Sequence, residues 1–197
     1  MMEKKLLIIC LTDNTWLHLG VSALLIRRQV INLTYGDIDS CTSILKKADS
    51  CILIIDMSIF LHGEWGVFDC VLAQRPDAKV IWLRRPDSGR IFPAGREGDY
   101  VIEQKQNFQR FSRELGDVAF CRRPKQRDNH VVSVVLTRQE KKLLPYLIHE
   151  QDIKKISSCL GIATKTLYNH RSEIQRKTGF SRINMMQLVY KKNLHLL

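Results

Sequence analysis

Residues 164–178 carry a dense set of polar and cationic side chains at helical spacing. Leu167 and Ile174 fall on one face of a helix drawn through this stretch. The side chains that project away from that face are Lys165, Thr166, Tyr168, Asn169, Ser172, Gln175 and Arg176. An amide such as that of Asn169 can pair with adenine, and a tyrosine can meet a thymine methyl group. The cations Lys165, Arg171, Arg176 and Lys177 suit phosphates. An ordinary solvated helix face is the alternative, but the row predicts contact with duplex DNA.

Four short helices are predicted to hold this row in place, at about 138–148, 152–160, 164–178 and 181–192. Thr137 and Glu140 have the spacing of a capping box, and Asp152 can cap the second helix. Gly161 can supply the left-handed residue that ends it. The third helix is expected to start near Thr164, with Thr164 itself as the cap, and Ser181 is expected to cap the fourth. A helix, a tight turn with glycine and a second helix rich in donors form the helix-turn-helix arrangement that fits a major groove.

The same segment resembles the LuxR/NarL family of bacterial helix-turn-helix domains, over about 57 of the 197 residues. The matching positions are Leu136-Thr137 with Glu140, Ile156-Ser157, Leu160, Ile162-Ala163, Thr166-Leu167, His170, Lys177-Thr178-Gly179-Phe180 and Arg182. Three residues depart from the family pattern. Ala163 replaces the capping serine, Tyr168 replaces a lysine that faces the bases, and Pro145 falls inside the first helix, where it removes a hydrogen bond.

The resemblance implies roles for particular side chains. It places base-edge contacts at Tyr168, Asn169 and Ser172. It also implies that the fourth helix is a dimer face, with contacts at Ile183, Met186 and Tyr190. The expected partners are therefore promoter DNA and a second chain, either a copy of this one or another LuxR-type regulator.

The charge of the chain is divided unevenly, and this division supports the DNA prediction. Residues 1–120 contain 15 Lys/Arg and 15 Asp/Glu, whereas residues 121–197 contain 16 Lys/Arg and 5 Asp/Glu, so the whole excess of +11 lies in the second part. One-sided positive charge favours phosphate contact through release of counterions. An anionic membrane would attract it too, but no basic amphipathic helix with an aromatic face is present in the sequence.

Residues 1–120 alternate between apolar runs and helical patterns. The runs 6–11, 51–55 and 80–83 are apolar without alternation, which is typical of strands buried on both faces of a parallel sheet. Weaker strands are expected at 32–35 and 100–102, and helices at 16–28, 40–48, 64–74 and 107–120. The pattern predicts a five-stranded, doubly wound α/β domain. The stretch 84–99 is rich in Pro, Gly and charge, so the helix there should be short or missing.

This layout resembles that of the receiver domain of a response regulator. Asp56, at the end of the third predicted strand, corresponds to the phosphoacceptor. The usual acidic pair after the first strand is here Thr12-Asp13, the switch hydroxyl corresponds to Arg84, and the lysine after the fifth strand corresponds to Glu103. A carboxylate at that last position would oppose an incoming phosphate. We therefore predict a receiver that is not phosphorylated, in which Arg84 could instead pair with Asp56.

The sequence thus predicts a receiver-like domain at 1–120, a basic linker at 121–133 and a LuxR-type domain at 134–197. The chain should be a cytoplasmic transcription regulator without a phosphorylation switch, like the auxiliary capsule and fimbria regulators of enterobacteria that pair with complete response regulators. A conventional regulator phosphorylated at Asp56 and an interaction module that reads no bases are the alternatives. No catalytic motif, metal-ligand spacing or cofactor motif is found, and the six cysteines are read as small reduced side chains.

Overall fold

The computed structural model describes residues 5–26, 28–46, 48–86, 88–120, 131, 134–150 and 152–195. The chain divides into two compact units, one of Met1–Arg85 with Gly98–Val131 and the other of Pro86–Glu97 with Val132–Leu197. The predicted linker, 121–133, lies outside the described residues except for Val131. The predicted domain boundaries on either side of it therefore stay predictions.

The first unit is built on a parallel sheet. Its strands are β1 (Leu6–Leu11), β2 (Val30–Leu33), β3 (Ser50–Asp56), β4 (Lys79–Arg84) and β5 (Tyr100–Glu103). They lie in the order β2-β1-β3-β4-β5. Because both faces of such a sheet are covered, the central strands can be apolar at every position, which is why their sequences show no alternation. The predicted five-stranded, doubly wound fold is confirmed, and β2 lies two residues earlier than the predicted 32–35.

Helices cover both faces of this sheet. They are α1 (Thr15–Leu24), α2 (Ile38–Leu45), α3 (Ile59–His62), α4 (Gly66–Gln74) and α5 (Phe108–Phe120). Val21 of α1 and Leu115 of α5 belong to one buried cluster with the side chains of one sheet face. On the other face Trp82, which is fully buried, packs against Phe60 and Phe68 with the rings tilted. The single turn α3 was not predicted, because four residues are too few to show a helical period.

The segment between β4 and β5 contains no helix in its described residues, as its Pro and Gly content predicted. Two polar contacts hold its C-terminal end to the first unit. The Trp82 indole N–H donates to the Asp99 carboxylate at 2.8 Å, and the Asp99 carbonyl accepts from the Val131 amide at 3.0 Å. Residues Pro86–Glu97 belong to the second unit, where the Arg90 amide donates to the Thr178 carbonyl at 2.6 Å.

Where its residues are described, the second unit folds into the helices α6 (Arg138–His149), α7 (Ile153–Leu160), α8 (Thr164–Thr178) and α9 (Ile183–Asn193). The predicted capping box at the start of α6 is present, because Thr137 Oγ1 accepts from the Glu140 amide and the Glu140 carboxylate accepts from the Thr137 amide. Asp152 caps α7 through the Lys154 amide at 2.8 Å. Throughout the described residues of the chain, no helix is both long enough and apolar enough to cross a membrane.

Two predicted caps in this unit are wrong. The cap of α8 is Ala163, whose side chain cannot accept a hydrogen bond, while the Thr164 hydroxyl donates to Ser157 Oγ at 3.1 Å. The cap of α9 is Arg182, one residue after the predicted Ser181, and it too has no side-chain cap bond. In both cases packing of the apolar residues sets the start of the helix, and no capping side chain is needed to define it.

Candidate nucleic-acid interface

Helix α8 buries one narrow apolar stripe and exposes a polar row. Leu167 and Ile174 are fully buried, and Thr178 at the end of the helix is buried as well. The opposite side chains are exposed, and they are Lys165, Thr166, Tyr168, Asn169 and Ser172. Half of Tyr168 remains in contact with solvent, at 51%. The helix thus presents the three predicted base-reading side chains together on a free face, where a groove could receive them.

The turn before α8 is rigidly built. Gly161 ends α7 with φ 63°, a left-handed conformation that glycine adopts without steric cost. The Ser157 hydroxyl donates to the Ile162 carbonyl at 2.6 Å and fastens the turn to α7. Because the Ala163 cap offers no acceptor, the first amide groups of α8 receive no side-chain cap bond. Such amides, at the positive end of a helix dipole, are suited to a phosphate oxygen.

Lys177 has a structural partner inside the unit. Its ammonium lies 2.7 and 2.8 Å from the two carboxylate oxygens of Glu140. Burial acts to raise the pKa of the Glu140 carboxyl, but hydrogen bonds from Lys177 and from the Thr137 amide outweigh it and hold that pKa below its usual value. The side chains of Lys177 and Glu140 are only 24% and 5% exposed. The pair joins the start of α6 to the end of α8, so it positions the exposed row, and the predicted phosphate contact of Lys177 is not favoured.

The other predicted phosphate ligands on α8 differ in their solvent exposure and in their contacts with other side chains. Lys165 is exposed, whereas Arg176 forms a surface ion pair with Glu173 at 2.7 Å, one turn away. Arg171 is half-buried, and its guanidinium carbon lies 5.8 Å from the centre of the Tyr168 ring. That cation–π contact holds the Arg171 guanidinium against the Tyr168 ring. Gln175 is half-buried.

The predicted dimer contacts on α9 do not share one exposed face. Met186 is fully buried and Tyr190 is 6% exposed, while Ile183 is half-buried. Burial raises the pKa of the Tyr190 hydroxyl to about 12. Their spacing is that of the stripe packed onto α6, where the Gln187 amide also donates to the Leu147 carbonyl at 2.7 Å. Met186 and Tyr190 are therefore core residues, and the apolar side chains that α9 leaves exposed are instead Leu188, at 41%, and Leu194 just after it, at 53%.

The carboxylate of Asp56 lies at the end of β3, almost wholly buried at 1% exposure. One of its oxygens accepts from the Ser58 amide at 3.2 Å and the Gln104 amide nitrogen at 3.1 Å. The other accepts from the Thr12 hydroxyl at 3.2 Å and an Arg85 guanidinium nitrogen at 3.4 Å. Each oxygen thus has two donors from this chain, a full complement for a buried carboxylate.

Two predicted neighbours of Asp56 are wrong by one residue. Arg84 does not pair with Asp56, because its guanidinium Nε donates to Glu103 at 2.7 Å, and Arg85 takes the place beside Asp56. Glu103 is engaged in that pair, and Gln104 is the residue that reaches Asp56 after β5. Successive side chains of a strand point to opposite sides, so an error of one position exchanges the inward and outward residues. The predicted repulsion from Glu103 is thereby replaced by a neutral amide and a cation.

Asp13 and Tyr35 are two further polar residues of this region. Asp13 is exposed and accepts from the Tyr35 amide at 3.2 Å, and Tyr35 donates its own hydroxyl to the Asp56 carbonyl at 3.3 Å. Within the described ranges, no cluster of three His, Cys, Asp or Glu side chains could hold a metal ion. The sequence analysis did not predict Arg85, Gln104 or Tyr35 as neighbours of Asp56. Only Arg85 and Gln104, each directly after a predicted neighbour at a strand end, had a sequence signal that could have identified them.

Comparisons with known proteins agree with the two-part structure. Residues 134–189 match the family of bacterial regulatory proteins described as the luxR family. No curated protein matches the chain. Among solved structures, the chain is similar to the two-component response regulator RcsB in complex with DNA, with a TM-score of 0.65, 14% identity, and coverage of 96% of this chain and 99% of that one.

Two further structures give the same picture. RcsB from Salmonella enterica serovar Typhimurium, bound to the promoter rprA in the presence of the phosphomimetic BeF3-, has a TM-score of 0.61 and 14% identity over 96% of this chain and 98% of that one. An assembly of two RcsB dimers bound to two parallel DNAs has a TM-score of 0.61 and 12% identity over 96% and 99%. At these identities the similarity shows the fold, and it confirms a receiver-like unit joined to a LuxR-type helical domain.

Proposed function

We propose that this chain is a sequence-specific DNA-binding transcription regulator. The premise is that residues 134–189 match the luxR family of bacterial regulatory proteins. Its receiver-like unit works without phosphorylation of Asp56. It acts as a dimer, either with a second copy or with another LuxR-type regulator.

The observation that carries this proposal is the exposed row of α8. A helix that reads bases must present polar side chains that exchange water for base edges, and Tyr168, Asn169 and Ser172 are exposed together. The excess of +11 charges in residues 121–197 supplies the phosphate attraction that brings such a helix to DNA.

The side chains of α8 divide into readers and positioners. Asn169 can donate to and accept from an adenine edge, and the Tyr168 ring, oriented by Arg171, can pack on a thymine methyl group. Lys165 and the free amides at the start of α8 contact phosphates, as does Arg171. Arg176 can reach a phosphate only by exchanging Glu173, and Lys177 positions the helix through Glu140.

The surroundings of Asp56 support a receiver that does not need phosphate. Four donors already satisfy its carboxylate, so an incoming phosphoryl group would have to displace Arg85 or Thr12. Mg²⁺ at a phosphoryl group is ordinarily held by one or two carboxylates of the protein, and Thr12 stands where the receiver pattern has one of its two acids. The Arg85 cation beside Asp56 takes over part of the charge neutralisation that a metal would otherwise supply.

The experiment that tests the proposal is selection of bound duplexes from a random DNA library, together with genome-wide mapping of bound sites. The wild-type chain should enrich a defined motif, and the Tyr168→Ala/Asn169→Ala variant should lose it while keeping salt-dependent binding to random DNA. The matched control is Gln139→Ala/Tyr146→Ala, which removes an amide and a phenol from exposed positions of α6 and should leave the motif unchanged. Equal affinity for every duplex across salt concentrations would favour the interaction module instead.

A further inference from the structure

Residues 88–93, from the connection between β4 and β5, lie against the end of α8. They belong to the second unit, together with the helices that carry the exposed row. Every second residue of the stretch is buried, and these residues are Gly89, Ile91 and Pro93. A segment that buries alternate residues lies along a surface with one side covered. We call residues 88–93 the strap, and the residues it meets, Thr178, Gly179 and Phe180, the α8–α9 corner.

The strap supplies a hydrogen bond that the end of α8 lacks. The amides of Gly179 and Phe180 both return to the Gln175 carbonyl, so the chain turns out of the helix there. The last carbonyls of a helix have no partner within it. Thr178 carries one of them, in a residue that is fully buried, and this carbonyl accepts from the Arg90 amide at 2.6 Å. The strap thus satisfies a buried acceptor of the reading helix.

The strap and the corner approach each other where each has a glycine. Gly89 has φ 79°, and a Cβ atom added to it would lie 2.5–2.9 Å from the outer end of the Phe180 ring. Gly179 has φ 76°, and a Cβ atom there would lie 2.8 Å from Arg90 Cγ. Phe180 is only 3% exposed, and its ring centre lies 6.5 Å from that of Tyr190 on α9. The contact is therefore too close for any larger residue at Gly89.

The same end of α8 is also held by the ion pair of Lys177 with Glu140 on α6. Its orientation matters at a distance, because a helix rises 1.5 Å per residue and Asn169 lies about 13 Å from Thr178 along the axis. A tilt of about 5° at the corner would move Asn169 by about 1 Å. Hydrogen bonds to base edges tolerate only about 0.5 Å in length. What holds the corner therefore governs how the exposed row meets a groove.

We infer that Gly89 and Arg90 are positioning residues for base reading, because the strap fixes the α8–α9 corner and with it the direction of α8. In this inference the strap touches no base. Its docking on the corner stands independently of the proposed function, whereas its effect on base reading rests on that function.

The first test compares two glycines of the same connection in the full chain. Gly95 has φ 75°, like Gly89, but a Cβ atom added to it meets nothing within 4 Å. Gly89→Ala and Gly95→Ala therefore carry the same backbone cost, and only Gly89→Ala pushes a methyl group into Phe180. Fluorescence anisotropy should show Gly89→Ala binding the selected motif at least fivefold more weakly than wild type and random duplex less than twofold more weakly.

Gly95→Ala should stay within twofold of wild type on both duplexes. The inference is overturned if the two variants behave alike, or if Gly89→Ala keeps its motif affinity. It is also overturned if Gly89→Ala weakens motif and random duplex equally, because a residue that only supports folding would have that effect.

The second test follows the strap without DNA. Amide hydrogen exchange of the full chain, resolved by residue, reports on the Arg90 amide that donates to Thr178. This amide should be protected in wild type and in Gly95→Ala, and it should exchange at least tenfold faster in Gly89→Ala. Unprotected exchange of Arg90 in wild type, or equal protection in both variants, means that the strap does not hold the corner.

A third variant restores the space that Gly89→Ala fills. Phe180→Leu shortens the side chain at the point of contact, so the Gly89→Ala/Phe180→Leu chain should protect the Arg90 amide better and bind the motif more tightly than Gly89→Ala does. Phe180→Leu alone gives the reference for the pair. Losses that simply add in the double variant would contradict the contact between Gly89 and Phe180.

The two proposals fail in different measurements. Absence of motif binding by the wild-type chain in the DNA selection would remove the proposed function, and the exchange of the Arg90 amide would still test the strap. An unprotected Arg90 amide in a wild-type chain that binds its motif would remove the strap and leave the proposed function in place.

Discussion

The polar side chains in the exposed row of α8 and those around Asp56 differ in what they contact. Along α8, the side chains of Tyr168, Asn169 and Ser172 are exposed to solvent. At the end of β3, both oxygens of Asp56 are already bonded to donors of the same chain. A surface that binds a partner needs groups that can exchange water for it, whereas a pocket satisfied from within gains little from a ligand.

The same contrast separates two lysines of one helix. Lys165 is exposed at the start of α8, and Lys177 lies against Glu140 near its end. Both residues are lysines on the same helix, so the local sequence predicts the same role for both. Their neighbours in space differ, and they leave Lys165 available to a phosphate and hold Lys177 in a structural ion pair. The following predictions test this division, from the largest expected effect to the smallest.

The largest effect is expected from breaking the buried pair. Glu140→Gln leaves Lys177 without its counter-charge and removes the acidic half of the capping box, so the free energy of unfolding should fall by about 3 kcal/mol. The matched control, Glu173→Gln, breaks the exposed pair with Arg176 and should change stability very little. Urea unfolding followed by circular dichroism measures both.

The pH dependence of this effect has a definite sign. The pKa of Glu140 is lowered in the folded chain, so its contribution is complete above the unfolded pKa of about 4.3 and is lost as pH falls through the lower, folded value. The difference between wild type and Glu140→Gln should therefore be full at neutral pH and shrink below about pH 4. A difference that stayed constant into that acidic range would exclude the ionised pair as its source.

The next effect concerns base reading. Asn169→Ala should cost about 1–3 kcal/mol of discrimination at one base pair, because a bidentate amide contact is lost. Binding to random duplex should change much less. Competition with single-base variants of the selected motif measures this, and Gln139→Ala on α6 serves as the control. Uniform weakening on every sequence would mean that Asn169 contacts phosphate.

A smaller effect separates the two lysines. Lys165→Ala should reduce the slope of log affinity against log salt by about 1, because one phosphate contact is lost. Lys177→Met should leave that slope unchanged and instead lower the stability of the second unit. Fluorescence anisotropy at several salt concentrations gives the slopes, provided that each variant is shown to be folded at the temperature used. Equal slope changes would restore Lys177 as a phosphate ligand.

The smallest effect is expected at Asp56. Asp56→Asn keeps the shape of the side chain, and DNA affinity should stay within about twofold of wild type, with or without acetyl phosphate. Asp13→Asn, at the exposed neighbouring acid, is the control. Mass spectrometry after acetyl phosphate treatment should find no phosphoryl group on Asp56. A labelled Asp56 together with altered affinity would restore the conventional response regulator.

The two units were not equally predictable. In the second unit the capping box of Thr137 and Glu140, the cap Asp152 and the turn at Gly161 were all predicted, because each depends on residues within four positions of one another. In the first unit the strands were predicted from apolar runs, but the partners of Asp56 were not. Arg85 and Gln104 reach Asp56 from positions just after two other strands. An apolar run does not show at which residue a strand ends, so it does not show which of the following side chains points toward Asp56.

Burial was the other property that the local pattern could not resolve. A helical stripe at Ile183, Met186 and Tyr190 fits a dimer face and a core face equally well, and packing onto α6 put Met186 and Tyr190 in the core. Hydrophobic spacing gives the faces of a helix, and only its neighbours show which face is covered.

By itself the sequence determined the order of strands and helices, the concentration of positive charge in the second part, and the side chains that α8 could offer to DNA. These depend on local propensity, capping and composition, which act over a few residues. The tertiary structure alone decided which charges are free and which are paired, with Lys165 left in solvent, Lys177 joined to Glu140, and Arg85 placed beside Asp56. An ion pair needs its two charged groups within about 4 Å of each other, and packing between elements far apart in the chain sets that distance.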